Sequence, residues 1–322
     1  MRYPACLTAA FLAMGTPAAA VVVNEGFAGT GASGAVALSA WLGAAPDFDA
    51  VARLRTDAGG TCSGVLIAPD AVLTARHCAD AAATETWSAG FMSGGTTTGY
   101  RVSAAASLSP APDAGRAYFD GSDLTVFTLD GPVAGIDPLQ VYSGPYLIES
   151  FAMVGWGLYG TGTTGAVQGP SADHRGFAVN TLEAYLADRD GEVSLLLADF
   201  DNAAGTENSL VDHVGVPSDA AALDYEGLIA PGDSGGPMLL LRDGRWVVGG
   251  ITTGILGYDE AADSDYGDVG VWTAISSAAA RELVASAGGV FHGAIVPLPV
   301  PAALLGSALA GLALLRRRRR AG

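Results

Sequence analysis

The chain has 322 residues, which is enough for two hydrophobic cores of ordinary size. It contains no lysine: 16 arginines stand against 33 acidic residues, and the formal net charge is −17 at pH 7. A surface this acidic repels phosphate groups and therefore excludes nucleic acid as a partner.

The N-terminal segment, residues 1–20, has the pattern of a secretory signal peptide. Arg2 precedes an apolar stretch over residues 5–14, and Ala18-Ala19-Ala20 offers the small residues of a cleavage site. We predict cleavage after Ala20, export of the chain, and a loosely packed N-terminal arm over residues 21–50.

Two cysteines, Cys62 and Cys78, remain once the leader is removed together with Cys6. An even pair in an exported chain predicts a disulfide bond. The bond would close a short loop and contribute about 3 kcal/mol. The alternative is a zinc site that includes His77, although adjacent His77 and Cys78 could hardly bind one ion together and further ligands are lacking.

The segment Val72-Leu73-Thr74-Ala75-Arg76-His77-Cys78 supplies the best candidate for a general base. Of the other histidines, His174 and His213 lie in Gly/Asp/Pro-rich stretches typical of surface loops, and His292 is near the end of the globular part. His77 alone follows an apolar run and stands beside a cysteine. An imidazole there can take the proton of a hydroxyl nucleophile.

A carboxylate that holds this imidazole in one tautomer is predicted at Asp123. The apolar run 124–129 begins directly after Asp123, which places the carboxylate immediately before the start of a predicted strand. Asp120 belongs to the turn Asp120-Gly121-Ser122 and is predicted to face solvent.

Short apolar runs bounded by Gly, Pro, Asp and Ser predict a mostly β chain. The predicted strands are 65–67, 71–74, 124–129, 151–156, 238–241, 246–251 and 269–275. Such regular short strands are typical of sandwiches and barrels. The one helix that we predict covers residues 276–286, with a serine to cap its start and Gly288-Gly289 to end it.

The most informative motif is Gly232-Asp233-Ser234-Gly235-Gly236-Pro237. A serine between glycines exposes its hydroxyl on a tight turn, where backbone N–H groups can bind an oxyanion. The chain order is then His77, Asp123, Ser234, which is the chymotrypsin-like order of a catalytic triad. In these motifs the chain resembles the trypsin-like serine proteases over residues 50–287, most weakly between residues 160 and 227, where we expect an insertion.

This resemblance implies an all-β fold of two six-stranded antiparallel barrels with a short C-terminal helix and with the active site in the cleft between the barrels. It implies that Ser234 is the nucleophile, His77 the base and Asp123 its orienting carboxylate. The N–H groups of Gly232 and Ser234 would form the oxyanion hole. The family also has a disulfide at the positions of Cys62 and Cys78, and its substrates are proteins or peptides.

Activation in this family pairs a buried aspartate, here Asp233, with a freshly cut N-terminus. The usual activation sequence is missing before His77. The nearest equivalent is Val21-Val22-Val23-Asn24, directly after the predicted leader. We hypothesise that removal of the leader supplies the activating amino group.

The resemblance places the floor of the primary substrate pocket at Leu228, and Thr252-Thr253-Gly254 beside it. An aspartate at the floor would select arginine or lysine, and leucine cannot do so. Gly254 and Gly270 are expected to leave the pocket open. We therefore expect cleavage after apolar residues.

Two acidic groups raise a calcium hypothesis. One comprises Asp199, Asp201, Asn202 and Glu207, and the other comprises Asp259, Glu260, Asp263, Asp265 and Asp268. Neither has the spacing of an EF-hand. Solvated acidic loops are the preferred interpretation, so no metal or other cofactor is predicted.

The C-terminal segment combines Val296-Pro297-Leu298-Pro299-Val300-Pro301, an apolar span over residues 302–315, and arginines at 316–320. The apolar span is shorter than the ~20 residues of a typical spanning helix, and the arginines would stay in the cytoplasm. The pattern resembles the PEP-CTERM sorting signals in their Val-Pro-Leu-Pro variant. That class implies attachment at the inner membrane and a sorting transpeptidase as partner; an ordinary C-terminal anchor is the alternative.

We thus predict a signal peptide (1–20), an arm (21–50), a protease domain (51–290) and a sorting or anchor tail (291–322). The predicted protein is a periplasmic, cell-surface or secreted serine endopeptidase. A catalytically silent binding module anchored at the cell envelope is the alternative, and a structural or adhesive surface protein is another. The intact triad positions favour the enzyme.

Overall fold

The structure, a computed structural model, describes residues 21–28, 48–108, 118–168, 175–258 and 261–293. The predicted signal peptide, most of the predicted arm, the tail beyond residue 293, and His174, Asp259 and Glu260 lie outside these residues. Strands dominate the part of the chain that is described. None of the helices in these ranges is long and apolar enough to cross a membrane.

Eighteen strands and three α-helices follow one another along the described chain. They are β1 (Val21–Val23), α1 (Glu25–Ala28), β2 (Val51–Thr56), β3 (Thr61–Ala68), β4 (Ala71–Thr74), α2 (Arg76–Ala81), β5 (Trp87–Ser93), β6 (Thr96–Ser107), β7 (Thr125–Leu129), β8 (Gln140–Val141), β9 (Glu149–Gly155), β10 (Tyr159–Thr161), β11 (Gly165–Gln168), β12 (Gly176–Leu182), β13 (Ala184–Ala187), β14 (Val193–Asp199), β15 (Gly227–Leu228), β16 (Pro237–Arg242), β17 (Arg245–Leu256), β18 (Val269–Ala274) and α3 (Ala278–Ser286). A 3-10 turn covers Phe48–Ala50 and a π-helical turn covers Leu210–Val214.

The first β unit is a closed barrel of six strands in the order β2-β3-β4-β7-β6-β5. Its neighbouring strands are antiparallel. Along β5, Trp87, Ala89 and Phe91 are buried and alternate with more exposed residues, because successive side chains of a strand point to opposite faces. These side chains belong to the large hydrophobic core of the barrel.

The second β unit is a curled half-barrel in the order β12-β9-β16-β17-β18-β14-β13, with β8 parallel to β17. Its core includes Phe151 and Trp272, whose ring centroids are 5.0 Å apart. The all-β, chymotrypsin-like fold class is therefore confirmed. The second sheet has eight strands rather than the expected six, because β13 extends one edge and β8 adds a short pairing beside β17.

A third, small sheet contains the residues that follow the predicted leader. Strand β1 runs parallel to β10 and antiparallel to β15, and Val21, Val22 and Val23 are 1%, 0% and 8% exposed. The assignment of an arm to residues 21–50 is therefore wrong for its first three residues. Three consecutive β-branched side chains suit a buried strand, whereas the arm was inferred from the Ala/Gly-rich sequence that comes after them.

The C-terminal helix α3 is present as predicted. The Ser277 hydroxyl caps its first turn by accepting the Ala280 N–H at 3.1 Å, and Gly288 follows its end with φ +86°. The short helix α2 was not predicted. It begins directly after β4 and carries His77.

Candidate active site

Asp123 and His77 form a doubly hydrogen-bonded pair. Oδ2 of Asp123 lies 2.8 Å from Nδ1 of His77, and Oδ1 accepts the main-chain N–H of His77 at 2.8 Å. Asp123 is fully buried, while the His77 side chain is 25% exposed. This geometry suits the neutral tautomer in which Nδ1 donates its proton to the carboxylate, and in that tautomer Nε2 keeps a lone pair. The imidazole is thus set up as a base that can be reached from solvent.

Strand pairing explains how two residues 46 positions apart meet. Strands β4 and β7 are antiparallel, with Thr74 opposite Thr125. His77 follows Thr74 on one strand and Asp123 precedes Thr125 on the other, so both leave the barrel at the same end. Asp120 accepts hydrogen bonds from the N–H and the hydroxyl of Ser122, as expected for a turn residue.

Ser234 lies on the turn that precedes β16, so it comes from the second sheet. Its carbonyl oxygen accepts the Ser63 N–H at 2.8 Å and lies 3.8 Å from Sγ of Cys78. Gly235 packs so closely that a Cβ there would overlap Thr74 Oγ1 and the Ser63 carbonyl oxygen. These contacts bring the serine turn against the end of β4, from which the chain leads directly to His77.

Two N–H groups at this turn are suited to bind an anion. The N–H groups of Asp233 and Gly235 donate to main-chain carbonyls, each at 2.9 Å. Within the described residues, the N–H groups of Gly232 and Ser234 donate no hydrogen bond. Gly232 has φ +98°, a backbone conformation that glycine adopts without strain. N–H groups without internal partners beside a serine hydroxyl are what an oxyanion requires.

Ser63 and Tyr118 are two neighbours of the site that sequence reasoning missed. The fully buried hydroxyl of Ser63 donates to the carbonyl of Gly232 at 3.1 Å and accepts the Trp156 N–H at 3.0 Å. The Tyr118 ring lies 5.7 Å from the ring of His77, centroid to centroid. No pattern could have identified Ser63, because its partners are 169 and 93 residues away in sequence.

This site lies within a recognised domain. A family model described as the trypsin-like peptidase domain matches residues 62–249, which is more than half of the chain. The chain belongs to the trypsin-like peptidase family. No curated protein sequence shows significant similarity to it. The family makes the protein a peptidase, and hence a hydrolase whose substrates are proteins or peptides.

The disulfide of the peptidase joins Cys62 to Cys78, as predicted. It links β3 to α2 next to His77, so it ties the histidine to the barrel. Although His77 lies close to both sulfur atoms, neither cysteine is a free thiolate. The zinc alternative is therefore wrong, since zinc binding requires thiolate ligands.

Asp233 of the peptidase is buried, with 1% of its surface exposed. Its Oδ1 accepts the Gly157 N–H and its Oδ2 accepts the Ala230 N–H, both at 2.8 Å. Burial raises the pKa of this carboxyl to about 7, although the two hydrogen bonds act in the opposite direction. Among the described residues, no basic side chain forms an ion pair with this carboxyl.

The start of β1 points toward Asp233. Val21 is paired with Tyr159 in a parallel register, so the N-terminal end of β1 lies on the side of Gly157. Val22 is paired with Leu228 in an antiparallel register, so the same end of β1 lies on the side of Ala230. Gly157 and Ala230 are the two residues whose N–H groups bind the Asp233 carboxyl.

Most residues of the expected pocket are closed to solvent, whereas Gly254 is half-buried. Leu228, Thr252 and Thr253 are 0%, 2% and 7% exposed. A Cβ on Gly270 would lie 2.6 Å from Cη2 of Trp272 and 2.9 Å from Cδ1 of Leu228. The expectation that the glycines leave an open pocket is therefore wrong at Gly270, because the indole of Trp272 occupies that space.

The other glycine of the expected pocket has an aromatic neighbour as well. A Cβ on Gly254 would lie 3.0 Å from Cζ of Phe119, which comes from the segment before Asp123. The surroundings of both glycines are apolar. The aromatic rings of Phe119 and Trp272, which lie outside the expected pocket residues, limit the space at this site.

The first acidic group of the peptidase is not a solvated loop. Asp199 and Asp201 are 0% and 4% exposed, whereas Asn202 is half-buried and Glu207 is exposed. The solvated-loop interpretation is therefore wrong for the two aspartates. In the second group, Asp263 is exposed, Asp265 is half-buried and Asp268 is buried.

Proposed function

We propose that this peptidase is a serine endopeptidase, with Ser234 as nucleophile, His77 as general base and Asp123 as the orienting carboxylate. The observation that carries the proposal is the 2.8 Å contact between His77 Nδ1 and the fully buried carboxylate of Asp123. Burying a carboxylate is costly unless hydrogen bonds compensate for the lost water. At this site the cost has a purpose, because the Asp123 carboxylate accepts the Nδ1–H of His77 and so orients the imidazole.

The reaction uses these groups in two half-reactions. Ser234 Oγ attacks the peptide carbonyl while His77 Nε2 takes its proton, and Asp123 stabilises the imidazolium. The N–H groups of Gly232 and Ser234 bind the oxyanion. His77 then protonates the leaving amine, the C–N bond breaks, and an acyl-Ser234 ester remains. Water attacks the ester by the same route and releases the acid.

Labelling with a fluorescent fluorophosphonate tests this proposal, because the reagent reacts with activated serines. We expect the wild-type protein to be labelled and Ser234→Ala to remain unlabelled. Ser103→Ala, at an exposed serine of β6, is the matched control and should keep the label. A folded protein cut before Val21 that takes no label would overturn the proposal in favour of the binding module, whereas labelling that appears only after this cut would identify a zymogen.

We also propose that removal of residues 1–20 activates the enzyme, because the new amino group of Val21 pairs with Asp233. The directions of the β1 pairings support this, together with the burial of Asp233 and the absence of an ion pair to it from any basic side chain that the structure describes. N-terminal sequencing of the secreted protein should find Val21. A mature chain that begins well past Asn24 would contradict the proposal.

For specificity, we propose cleavage after small apolar residues. Leu228 at the pocket floor offers no charge to arginine or lysine, and the proximity of Trp272 to Gly270 argues against large side chains. A panel of peptide substrates should show kcat/KM for alanine or valine above that for phenylalanine, and far above that for arginine. A preference for arginine would reject it.

For localisation, we propose export of the peptidase and attachment at the inner membrane through residues 291–322. The support is the sequence pattern of the two ends. Cell fractionation with and without residues 296–322 tests it. The full-length protein should sediment with membranes, and the truncated protein should be released; equal distribution of both would reject the anchor and the sorting partner.

A further inference from the structure

Four buried carboxyl groups lie together beside the second sheet. Glu183, Asp199, Asp201 and Glu226 are 6%, 0%, 4% and 2% exposed. Glu183 joins β12 to β13, Asp199 ends β14, and Glu226 precedes β15. In the part of the chain that the structure describes, no arginine or histidine forms an ion pair with any of them. The described residues therefore supply no cation for this charge.

Three of these residues offer oxygen atoms that converge. One carboxylate oxygen each from Glu183, Asp199 and Asp201 lies within 4.8 Å of the others. Asp199 Oδ2 accepts the Leu210 N–H at 2.9 Å, whereas Oδ1 of Asp199 and Oδ1 of Asp201 are buried and accept no N–H from the described residues. Buried polar atoms are normally paired, so two unpaired oxygens within one group of acids indicate a cation ligand set.

We propose that Glu183, Asp199 and Asp201 bind one calcium ion. Calcium takes oxygen ligands at about 2.3–2.6 Å, so two oxygens on one ion are separated by at most about 5 Å. The spread of the three carboxylates fits this limit. Glu226 positions the group, since its Oε1 accepts the Asp201 N–H at 2.7 Å.

The enclosed position of the cluster agrees with this geometry, because adjacent carboxylates in a dry site cannot all ionise unless a cation compensates their charge.

The ion would stabilise the part of the fold that carries Leu228. Nδ2 of Asn180 donates to the carbonyl of Asp199 at 2.7 Å and to that of Gly227 at 3.1 Å. The carbonyl of Glu226 accepts the Asn24 N–H at 2.9 Å. The site thus connects β14 to β15 and to the segment that follows β1.

The test uses the full chain carrying Ser234→Ala, which prevents self-digestion and keeps the outcome independent of the proposed function. After removal of metals with a chelator, calorimetric titration with CaCl2 should show one bound ion per chain. At a hundredfold excess of calcium over Kd, the Tm should rise by roughly 5–10 °C. MgCl2 should bind more weakly, because magnesium demands shorter distances and near-octahedral geometry.

Asp201→Asn and Glu183→Gln should each weaken calcium binding at least tenfold. Asp190→Asn, the same type of change at an exposed position of the β13–β14 hairpin, should leave it unaltered. The two site variants should fold without calcium, since each removes one of several repelling carboxyls. If one variant does not fold, calcium binding by the other variant decides the test.

Two results would overturn the proposal. One is the absence of calcium binding to the folded wild-type protein. The other is calcium binding that persists in both Asp201→Asn and Glu183→Gln, which would assign the ion to another group such as Asp263, Asp265 and Asp268.

Discussion

Asp123 holds His77 through both of its carboxylate oxygens, one on Nδ1 and one on the main-chain N–H, each at 2.8 Å. The main-chain bond fixes the carboxylate relative to the backbone of α2, so the imidazole has one orientation before any substrate arrives. The proposed proton transfer at Nε2 therefore requires no reorientation of the imidazole.

The first prediction concerns the tautomer of His77. Asp123→Asn keeps the shape of the side chain, but its amide can donate to Nδ1 and so favours the wrong tautomer. We expect kcat to fall by about 10⁴-fold while the fold is retained. Steady-state kinetics and circular dichroism measure the two effects. Asp120→Asn is the control and should change kcat little; equal losses in both variants would show that Asp123 has no special role.

The second prediction concerns Ser63, which connects the serine turn to Trp156. Ser63→Ala leaves the Trp156 N–H buried without a partner and releases the carbonyl of Gly232. We expect the free energy of unfolding to fall by about 1–3 kcal/mol. The displaced turn should lower kcat by up to roughly 10²-fold with little change in KM.

Urea unfolding and substrate kinetics test the Ser63 prediction. Ser88→Ala, at an exposed serine of β5 in the same barrel, is the control and should leave both quantities near the wild-type values. A Ser63→Ala protein that is destabilised but has normal kcat would restrict Ser63 to a role in stability.

The third prediction separates backbone strain from packing at the contact between the barrel and the serine turn. Gly235 and Gly95 have φ of +83° and +79°, but a Cβ on Gly95 would meet nothing within 4 Å. We expect Gly95→Ala to lower the unfolding free energy by about 1–2 kcal/mol through strain alone. Gly235→Ala should lower it by more than about 3 kcal/mol, since the methyl group overlaps Thr74 and Ser63. Equal effects in denaturant unfolding would mean that the turn can move away from β4.

The fourth prediction concerns pH and Asp233 in a chain that retains residues 1–20. Its pKa is about 7 in the folded protein against an ordinary value of 3.8, so between these pH values the folded state binds the proton more tightly than the unfolded state does. Stability from this group is therefore highest below pH 4 and is lost as the pH rises to about 7, by up to roughly 4 kcal/mol.

Chemical unfolding of the uncleaved Ser234→Ala chain at pH 5 and pH 8 tests the fourth prediction. The loss of stability between the two pH values should be smaller in the same chain with Asp233→Asn. It should also be smaller after the chain is cut before Val21, because the new ammonium group lowers the pKa of Asp233. The same pH dependence in all three proteins would remove Asp233 as its cause.

The sequence was sufficient for the features that short segments encode. All seven predicted strands coincide with or overlap observed strands, and α3 has the predicted serine cap. The Cys62–Cys78 bond, the fold class and the family are confirmed as well. Turn glycines, strand alternation and a serine cap act through neighbouring residues, so their signals are local and can be recognised without the fold.

Features that depend on packing between distant segments required the tertiary structure. The burial of Val21–Val23 depends on β10 and β15, and the contacts of Ser63 depend on Gly232 and Trp156. The filled space at Gly270 depends on the position of the Trp272 indole. Asp199 and Asp201 look like a polar loop in sequence, yet both are buried. The amino-acid sequence alone determined which chemical groups this peptidase has. The three-dimensional fold decided which side chains are buried and which hydrogen-bond partners they have, because both depend on contacts between residues that are distant in sequence.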